Sequence, residues 1–469
     1  MYRMIGSVML GTLLALTLGG VGTAQAEDAE AIAPAPTVDG YMGIWFTLGQ
    51  FREYGDKYSG GLGTYTAKHI PLAYYVEEVN KTFFVYGGTR APDENHLLCM
   101  VSYFDHDTGR VPKPRIVHDK DGVIDPHDNP SIAVDEHGHI WVFVSGRGTG
   151  RPGFKYRSVE PYSIEAFELI EERELTYPQP FWLEGKGFLH SFTQYRTGRF
   201  LYWETSDITG ENWSETHALA EFGGHYQITN AQNGRVFTVF NYHPDHSVDR
   251  RTNMYYAETG DFGETWTNAQ GEVLELPLTD PDNSALARDY ESEGLLNYNK
   301  DIQLDVDGNP VVLQVTSQGY EPGPDNAPRA WVTAKWNGEA WDFNEITDTG
   351  HNYDTGSIYI EENGAWRVMI PSETGPQEWG TGGEVALWIS EDQGANWRKA
   401  RDVTRNSQYN HGYVRRPVNA HPDFYAFWAD GNPDEFSESR LYFTNHAGNI
   451  VRSLPYYMEL DYETPGFYE

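Results

Sequence analysis

Short apolar runs separated by tight polar turns make up most of this chain. In one example, an apolar run at residues 131–134 is followed by a turn at 135–138 (DEHG), and a second apolar run returns at 140–144. A third stretch of the same kind follows at 154–159. Runs of this length, bounded by Gly and Asp, predict antiparallel β-strands. The chain is therefore predicted to be all-β.

This unit recurs seven times, and each copy opens on a polar residue. The openings are 48 to 74 residues apart. Units of that size cannot bury their faces alone and stack in a ring, so the period predicts a seven-bladed β-propeller of four-stranded antiparallel blades. We assign it to residues 41–469 as a single catalytic domain, because no linker interrupts them. The openings are His69, His127, Tyr177, His225, Asn299, His351 and His411.

Two turns after predicted third strands match the Asp-box pattern S/T-x-D-x-G-x-x-W. One runs from Thr259 to Trp266 and the other from Ser390 to Trp397, and a looser copy lies at 206–213. In this pattern the Asp carboxylate accepts backbone N–H groups, the Gly allows a positive φ and the Trp fills the gap between strands. These turns indicate the fold strongly and the function weakly, because they lie on the outer edge of a blade.

The first 26 residues have the pattern of a secretory signal peptide. Arg3 supplies the positive start, residues 5–18 are apolar, and Ala24-Gln25-Ala26 forms a small-residue cleavage site. The apolar stretch is too short and too rich in Gly for a membrane span. We expect residues 27–40, which are rich in Ala, Pro and acidic residues, to form a flexible leader. The mature protein is expected to be secreted or periplasmic.

The chain is strongly acidic, with 34 Lys and Arg against 69 Asp and Glu and a formal net charge of −35. Such a charge repels nucleic acid and anionic membranes, so we expect neither as a partner, and we expect a monomer. Cys99 is the only cysteine, and its apolar surroundings predict a buried strand residue. An intramolecular disulfide is excluded, and stability must come from a core to which an aromatic share of 14% contributes.

Candidate chemistry gathers where two strand ends meet. The start of a blade's first strand and the end of its second lie at the same rim, because the strands are antiparallel. Blades one to four offer cationic and aromatic groups there, which suits a substrate that carries carboxylates or sulfates. The sets are His69 with Arg90, His127 with Arg147, Tyr177 with His190 and Arg196, and His225 and Tyr226 with Tyr242 and His243.

Three functions fit such a rim. In a lyase, a base removes the proton α to a uronate carboxylate, cations neutralise the carboxylate, and the leaving sugar oxygen receives a proton. His and Tyr can fill the acid and base roles, and a neighbouring cation would lower a Tyr pKa from about 10. A sialidase-like glycoside hydrolase would use a Tyr–Glu pair, but the segment Arg115-Ile116-Val117 lacks the Pro of that signature. A non-catalytic glycan-binding propeller is the third alternative.

The same residues also have structural interpretations. A His at a strand start more often satisfies a turn than catalyses a reaction, although flanking prolines stiffen the segments around His127 and Tyr177. No cofactor is required for the chemistry. A structural zinc or calcium ion is an open alternative, because His243 with His246, and His137 with His139, have ligand-like spacings without a full ligand set.

The Asp-boxes, the blade openings and segments such as Gly224-His225-Tyr226-Gln227 resemble those of BNR-repeat proteins. Among these, the chain is most similar to secreted seven-bladed polysaccharide lyases, the ulvan lyases and rhamnose–glucuronate lyases, over residues 41–458. The resemblance implies a propeller that degrades an acidic, ulvan-like rhamnose–uronate polysaccharide by β-elimination.

The resemblance also implies site residues. Those lyases use a His from one blade opening, a Tyr from the next and an Arg on the latter blade's second strand, which correspond to His127, Tyr177 and a position held here by Gln194. Arg196 lies two residues further on the same strand face and is the expected substitute. We therefore predict His127 and Tyr177 as catalytic. The predicted substrate-binding residues are Arg147, His190, Arg196, His225, Tyr226, Tyr242 and His243.

Overall fold

A computed structural model describes residues 32–61, 68–94 and 96–468, and the predicted signal peptide lies outside them. Almost all regular structure is β, with five short 3-10 helices at Glu77–Val79, Pro126–Asp128, Gly148–Gly150, Pro244–His246 and Pro324–Asn326. The prediction of an all-β chain is therefore confirmed. No helix among the described residues is long and apolar enough to cross a membrane.

Six sheets, named sheets 2 to 7 in chain order, are antiparallel meanders in which each strand pairs with the next. Sheet 7 carries one added strand, and the other five have four each. The strands are Pro130–Val134, Ile140–Val144, Gly153–Ser158 and Phe167–Arg173 in sheet 2; Thr176–Leu183, Gly187–Tyr195, Arg199–Thr205 and His217–Ala220 in sheet 3; Gln227–Gln232, Arg235–Tyr242, Thr252–Thr259 and Leu286–Arg288 in sheet 4; Leu296–Leu304, Pro310–Ser317, Ala330–Trp336 and Trp341–Asp348 in sheet 5; Ser357–Ile360, Trp366–Glu373, Glu384–Ser390 and Arg398–Asp402 in sheet 6; and Asn410–Arg415, Ala426–Gly431, Leu441–Thr444, Val451–Ser453 and Gly466–Phe467 in sheet 7.

Sheet 1 is larger and contains seven strands. The strands Ala73–Val76, Lys81–Gly88, Leu98–Asp105 and Arg115–Asp119 follow one another as in a blade, and Gly43–Thr47, Ser59–Gly61 and Ser437–Ser439 are added at one end. Two further pairs stand apart, Phe51–Arg52 with Gly55–Asp56 and Val111–Pro112 with Tyr462–Glu463. The four-stranded blade is thus confirmed, but the count of seven regular blades is corrected to six with one enlarged sheet.

Neighbouring sheets pack face to face through apolar side chains. One cluster joins Phe84 and Leu98 of sheet 1 to Phe427 and Phe443 of sheet 7, so the end of the chain packs against its beginning. The first strands touch one another at the centre, where the Ser131 hydroxyl donates to the Pro178 carbonyl at 2.7 Å. Side chains at the starts of these strands therefore face a shared axis.

Three local predictions can be compared with the structure. In the first Asp-box, the Asp261 carboxylate accepts the Thr265 N–H at 2.9 Å and Gly263 has a φ of +90°, as predicted. Cys99 is fully buried in a strand. The expected flexible leader is described only from residue 32, and its last part differs from the expectation, because Ala35 and Val38 donate backbone hydrogen bonds that fix it to neighbouring segments.

Candidate active site

Tyr177 lies near the start of the first strand of sheet 3 in an unusual backbone conformation. Its φ is +56°, a left-handed value that is uncommon for a bulky residue. The strand register shifts between Thr176 and Gln179, so Tyr177 stands outside the regular ladder. Only 1% of its surface is exposed. Such strained positions concentrate at functional sites, which makes Tyr177 a candidate centre of the site.

Four rings surround Tyr177, one from a strand of sheet 3 and three from segments that precede the first strands of other sheets. The ring centroids of His69, His127 and Tyr226 lie 5.5, 5.8 and 5.6 Å from its own. Its hydroxyl is 3.3 Å from the hydroxyl of Tyr195. The structure therefore brings together the two residues predicted as catalytic, His127 and Tyr177, and the predicted substrate-binding residue Tyr226.

Asp125 fixes the orientation of His127. It caps the short helix Pro126–Asp128, where its Oδ1 accepts the backbone N–H of His127 at 3.1 Å and also contacts the ring Nδ1. A carboxylate at Nδ1 holds the proton there, so Nε2 carries the lone pair. Burial lowers the pKa of His127, although Asp125 opposes the shift. The imidazole is thus neutral near pH 7, as a base must be.

Arg147 joins this group through the other oxygen of Asp125. Its Nη1 donates to Asp125 Oδ2 at 2.5 Å, and Arg151 donates to the same oxygen at 2.7 Å. Burial opposes the charged form of Arg147, but the nearby Tyr177 phenol and the Asp125 carboxylate raise its pKa. Arg147 therefore stays charged beside the candidate catalytic tyrosine.

The two central tyrosines differ in acidity. Burial, with Tyr195 and Tyr226 nearby, raises the pKa of Tyr177 well above its usual value. Burial would also raise the pKa of Tyr226, but Arg199 and Arg251 outweigh it and lower that pKa. The expectation that neighbouring cations make a phenolate accessible therefore applies to Tyr226, whereas Tyr177 holds its proton.

Arg199 and Arg251 are the cations that the sequence reasoning missed. The Arg251 Cζ lies 4.3 Å from the Tyr226 ring centroid, and the Arg199 Cζ lies 5.2 Å from that of Tyr195. Arg199 begins the third strand of sheet 3, and Arg251 directly precedes that of sheet 4. A third strand starts at the same rim as the first, so these positions could have been included. Arg151, Arg329 and Arg440 stand at corresponding positions before the third strands of sheets 2, 5 and 7.

His243 is the remaining predicted residue that belongs to the group. Its ring centroid lies 4.9 Å from that of Tyr226, and it is fully buried. Neither ring nitrogen has a hydrogen-bond partner among the described residues. Burial and the nearby Arg251 lower its pKa well below the usual value, so the ring is neutral.

Four other predicted substrate-binding residues have surroundings that differ from those of the group around Tyr177. His190 is buried in sheet 3, where its Nδ1 lies 2.9 Å from Glu204 and its ring packs on Phe143 and Phe192. The hydrogen bonds of His225 go to backbone groups, the Asn241 carbonyl and the Phe222 N–H.

Arg196 and Tyr242 lie further out. The Arg196 side chain is 43% exposed and forms an ion pair with Glu174 at 2.8 Å. It contacts Gln194 through its Nη2, at 2.6 Å. Tyr242 packs on Phe222 and is partly exposed. None of the contacts described for these two residues, or for His190 and His225, involves Tyr177. The guanidinium near Tyr177 in sheet 3 is that of Arg199.

The predicted metal pairs do not form a ligand cluster among the described residues. The one group there that could place three ligand atoms within 4.8 Å of one another is His106, His421 and Asp423. His139 Nδ1 instead lies 2.8 Å from the Ser158 carbonyl, and His246 contacts the Gly223 carbonyl. A structural zinc or calcium ion remains a prediction.

Comparison with known proteins places the chain in a family. Residues 73–349 match the model of the BNR repeat-containing family, so the chain belongs to that family, and the interpretation of the Asp-boxes is confirmed. The chain is also similar to proteins named ulvan lyase. It is 24% identical over 377 residues to one from Nonlabens ulvanivorans, covering 70% of this chain and 76% of the relative. It is 21% identical over 376 residues to one from Alteromonas sp. strain LOR, covering 70% and 74%.

Solved structures agree on the fold. A PL25 ulvan lyase superposes with a TM-score of 0.68 at 16% identity, covering 88% of this chain and 96% of that one. The same type of enzyme has been solved bound to a GlcA(1-4)Rha3S unit, and it superposes with a TM-score of 0.67. The predicted resemblance to propeller polysaccharide lyases is therefore confirmed.

Proposed function

We propose that this protein is a polysaccharide lyase that cleaves an acidic, ulvan-like rhamnose–uronate chain by β-elimination. The observation that carries the proposal is the convergence of a neutral His127, a protonated Tyr177 and the cations Arg147, Arg199 and Arg251 at one rim. The relatives named ulvan lyase support the same reaction class and substrate.

The reaction needs a cation at the uronate carboxylate before it needs a base. Removing the proton at C5 leaves charge that spreads onto the carboxylate, so guanidinium groups there lower the barrier. Arg147 and Arg199 fill this role, because both lie beside Tyr177 and its hydroxyl partner Tyr195. Arg199 replaces the predicted Arg196, whose guanidinium is engaged by Glu174.

Proton transfer then divides between two residues. Neutral His127 takes the C5 proton on Nε2, while Asp125 at Nδ1 stabilises the imidazolium that forms. The C5–H electrons form the C4=C5 double bond, and the C4–O bond breaks. Tyr177, whose raised pKa keeps it protonated, donates its proton to the leaving oxygen. One chain becomes two, one of which ends in an unsaturated uronate.

A hydrolytic mechanism would need a carboxylate free to act on the sugar. The Asp125 carboxylate, which contacts the His127 ring, is held by His127, Arg147 and Arg151. That engagement suits a positioning residue rather than a nucleophile or acid, and it favours elimination.

The deciding experiment is incubation of the purified protein with ulvan and with other uronate polysaccharides. A lyase produces shorter chains together with the ultraviolet absorbance of the unsaturated uronate. Shorter chains without that absorbance would point to hydrolysis, and binding without any product would point to a glycan-binding propeller. Either result would overturn the proposal.

The proposal also covers the closure of the ring, the export of the protein and its oligomeric state. The blade-like strands of sheet 1 close the ring as its seventh blade, which the shared apolar cluster with sheet 7 supports. The enzyme is exported and acts as a monomer. Light scattering of the mature protein and N-terminal sequencing of the secreted product test these two features.

A further inference from the structure

Three buried basic side chains lie close together near the axis of the ring. Lys68, Lys300 and Arg415 are 3%, 2% and 3% exposed, and none forms an ion pair within the described part of the chain. Other buried lysines are paired, since Lys120 lies 3.0 Å from Asp128 and Lys155 lies 2.8 Å from Glu204. Unpaired buried charge is costly, so a bound anion would stabilise the axial group.

The three cations come from different parts of the chain and meet at sheet 5. Lys68 Nζ donates to the Asn299 carbonyl at 3.3 Å, and Arg415 Nη1 donates to the next carbonyl, that of Lys300, at 3.0 Å. Lys300 Nζ donates to the Asn352 carbonyl at 2.6 Å. Burial, together with repulsion from Arg251, Lys300 and Arg415, lowers the pKa of Lys68 well below its usual value. The three side chains therefore lie within electrostatic range of one another, and a nearby anion would favour their charged forms.

Arg415 directs unused donors into this region. Its Nε and Nη2 are buried and have no partner among the described residues. The side chain borders a cavity of about 30 Å³, larger than the roughly 10–15 Å³ that one water needs. The cavity is lined mainly by residues of the first strands of several sheets, including Phe181, Thr229 and Ser357, so it lies on the central axis.

One carboxylate also lines the cavity, but its oxygens are already used. Asp301 Oδ1 accepts the Ile302 N–H at 2.9 Å and lies 3.3 Å from Arg416 Nη2, and Oδ2 accepts the Ile358 N–H at 3.0 Å. Asp301 therefore compensates Arg416 first. Asp354 lies near Lys300 and offsets part of the charge of that lysine, so Arg415 keeps the least compensated charge of the group.

We propose that a small inorganic anion of about the size of chloride binds on the axis against Arg415, with Lys68 and Lys300 supplying the surrounding positive charge. The anion would accept hydrogen bonds from the unused N–H groups of Arg415 and would neutralise part of the axial charge. The proposed elimination reaction uses none of the three side chains, although Lys68 borders its site, with Nζ 5.7 Å from the Tyr226 ring centroid.

Bromide, which scatters anomalously, is the probe. Crystals of the full chain grown in sodium bromide should show an anomalous peak beside Arg415. In solution, chloride or bromide should raise the melting temperature in a saturable way, by about 2 °C or more, relative to gluconate at equal ionic strength. Gluconate is too large for the cavity, and equal ionic strength removes general screening from the comparison.

Variants test whether the effect belongs to these residues. Arg415→Gln and Lys300→Met should lose the peak and the halide-dependent melting shift, whereas Arg398→Gln, an exposed control on the outer surface, should keep both. The wild-type result decides the proposal if a variant fails to fold. Wild type with no axial peak and equal melting temperatures in the two salts would overturn it, whatever the lyase assay shows.

Discussion

The Arg251 guanidinium carbon lies 4.3 Å from the ring centroid of Tyr226. A cation over the face of a phenol stabilises its ionised form, and Arg199 acts in the same direction. Because Tyr177 is shifted the opposite way, two neighbouring phenols at one rim differ in acidity. This difference makes Tyr226 the first of the pair to ionise as pH rises.

We predict that one tyrosine titrates below the usual value of 10.0 and that this step is lost in Tyr226→Phe. The measurement is the near-ultraviolet absorbance of tyrosinate as a function of pH. Tyr242→Phe is the matched control, because burial and the nearby Glu291 raise the pKa of Tyr242. If the early step survives in Tyr226→Phe, the assignment is wrong.

A second prediction distinguishes the roles of Arg196 and Arg199, which lie at the turn between the second and third strands of sheet 3. Arg199→Gln should lower kcat/KM by about 10²–10³, the usual effect of removing a group that stabilises developing charge. Arg196→Gln should change kcat/KM by less than about fivefold, because the Arg196 side chain is 43% exposed and is engaged in an ion pair with Glu174. Steady-state kinetics on ulvan measures both variants. Equal losses, or a greater loss in Arg196→Gln, would restore Arg196 as the carboxylate-binding residue.

The difference between these arginines shows how far the sequence could lead. The blade openings and Asp-boxes located the first strands, because hydrophobic spacing and turn residues are local signals. The choice of Arg196 was made by counting along a strand from Gln194, but ion pairing with Glu174 and the bend before the third strand depend on tertiary contacts. Arg199 could have been predicted from the sequence, because the third strand of a blade starts at the same rim as the first.

The histidines at the blade openings also show which features the sequence could predict. Five of the seven openings carry His, and the repeat alone does not tell which of them faces a carboxylate. His225 contacts the Asn241 carbonyl, and His411 accepts a hydrogen bond from the Trp428 Nε1, so both satisfy buried backbone or side-chain groups. His127 differs because Asp125 precedes it in a capping position. That local pattern, Asp-Pro-His, was visible in the sequence.

A third prediction concerns His127 and Asp125. His127→Gln should lower kcat by about 10²–10⁴, the range expected for a lost general base. In the wild type, kcat/KM should fall as pH drops, because the base must be neutral and protonation removes it. The midpoint should lie below 6.5, since burial lowers the pKa of His127.

The control is His137→Gln, a change in an exposed turn, where activity and pH profile should match the wild type. Asp125→Asn should reproduce much of the loss, because an amide no longer holds the proton at Nδ1 or stabilises the imidazolium. A rate that rises on acidification through this range would contradict the role of His127 as the base.

The last prediction concerns stability in acid. His69, His225, His351 and His411 are buried, and burial lowers the pKa of each to about 3. In the unfolded chain their pKa returns to near 6.5, so the unfolded state binds more protons between these values. Their contribution to stability is present above pH 6.5 and is lost as pH falls towards 3, by about 1.4 kcal/mol per pH unit for each histidine.

Two carboxyl groups oppose this loss. Burial raises the pKa of Asp354 and Asp430 to about 6, so the folded state takes up protons there and gains stability as pH falls below that value. The four histidines outnumber them, and the net expectation is a lower free energy of unfolding at about pH 5 than at about pH 7. Urea unfolding at the two pH values measures it. His411→Gln keeps a hydrogen-bond acceptor for Trp428 and should reduce the pH dependence by about one histidine's share, whereas His137→Gln should leave it unchanged; equal slopes in all three proteins would contradict the assignment.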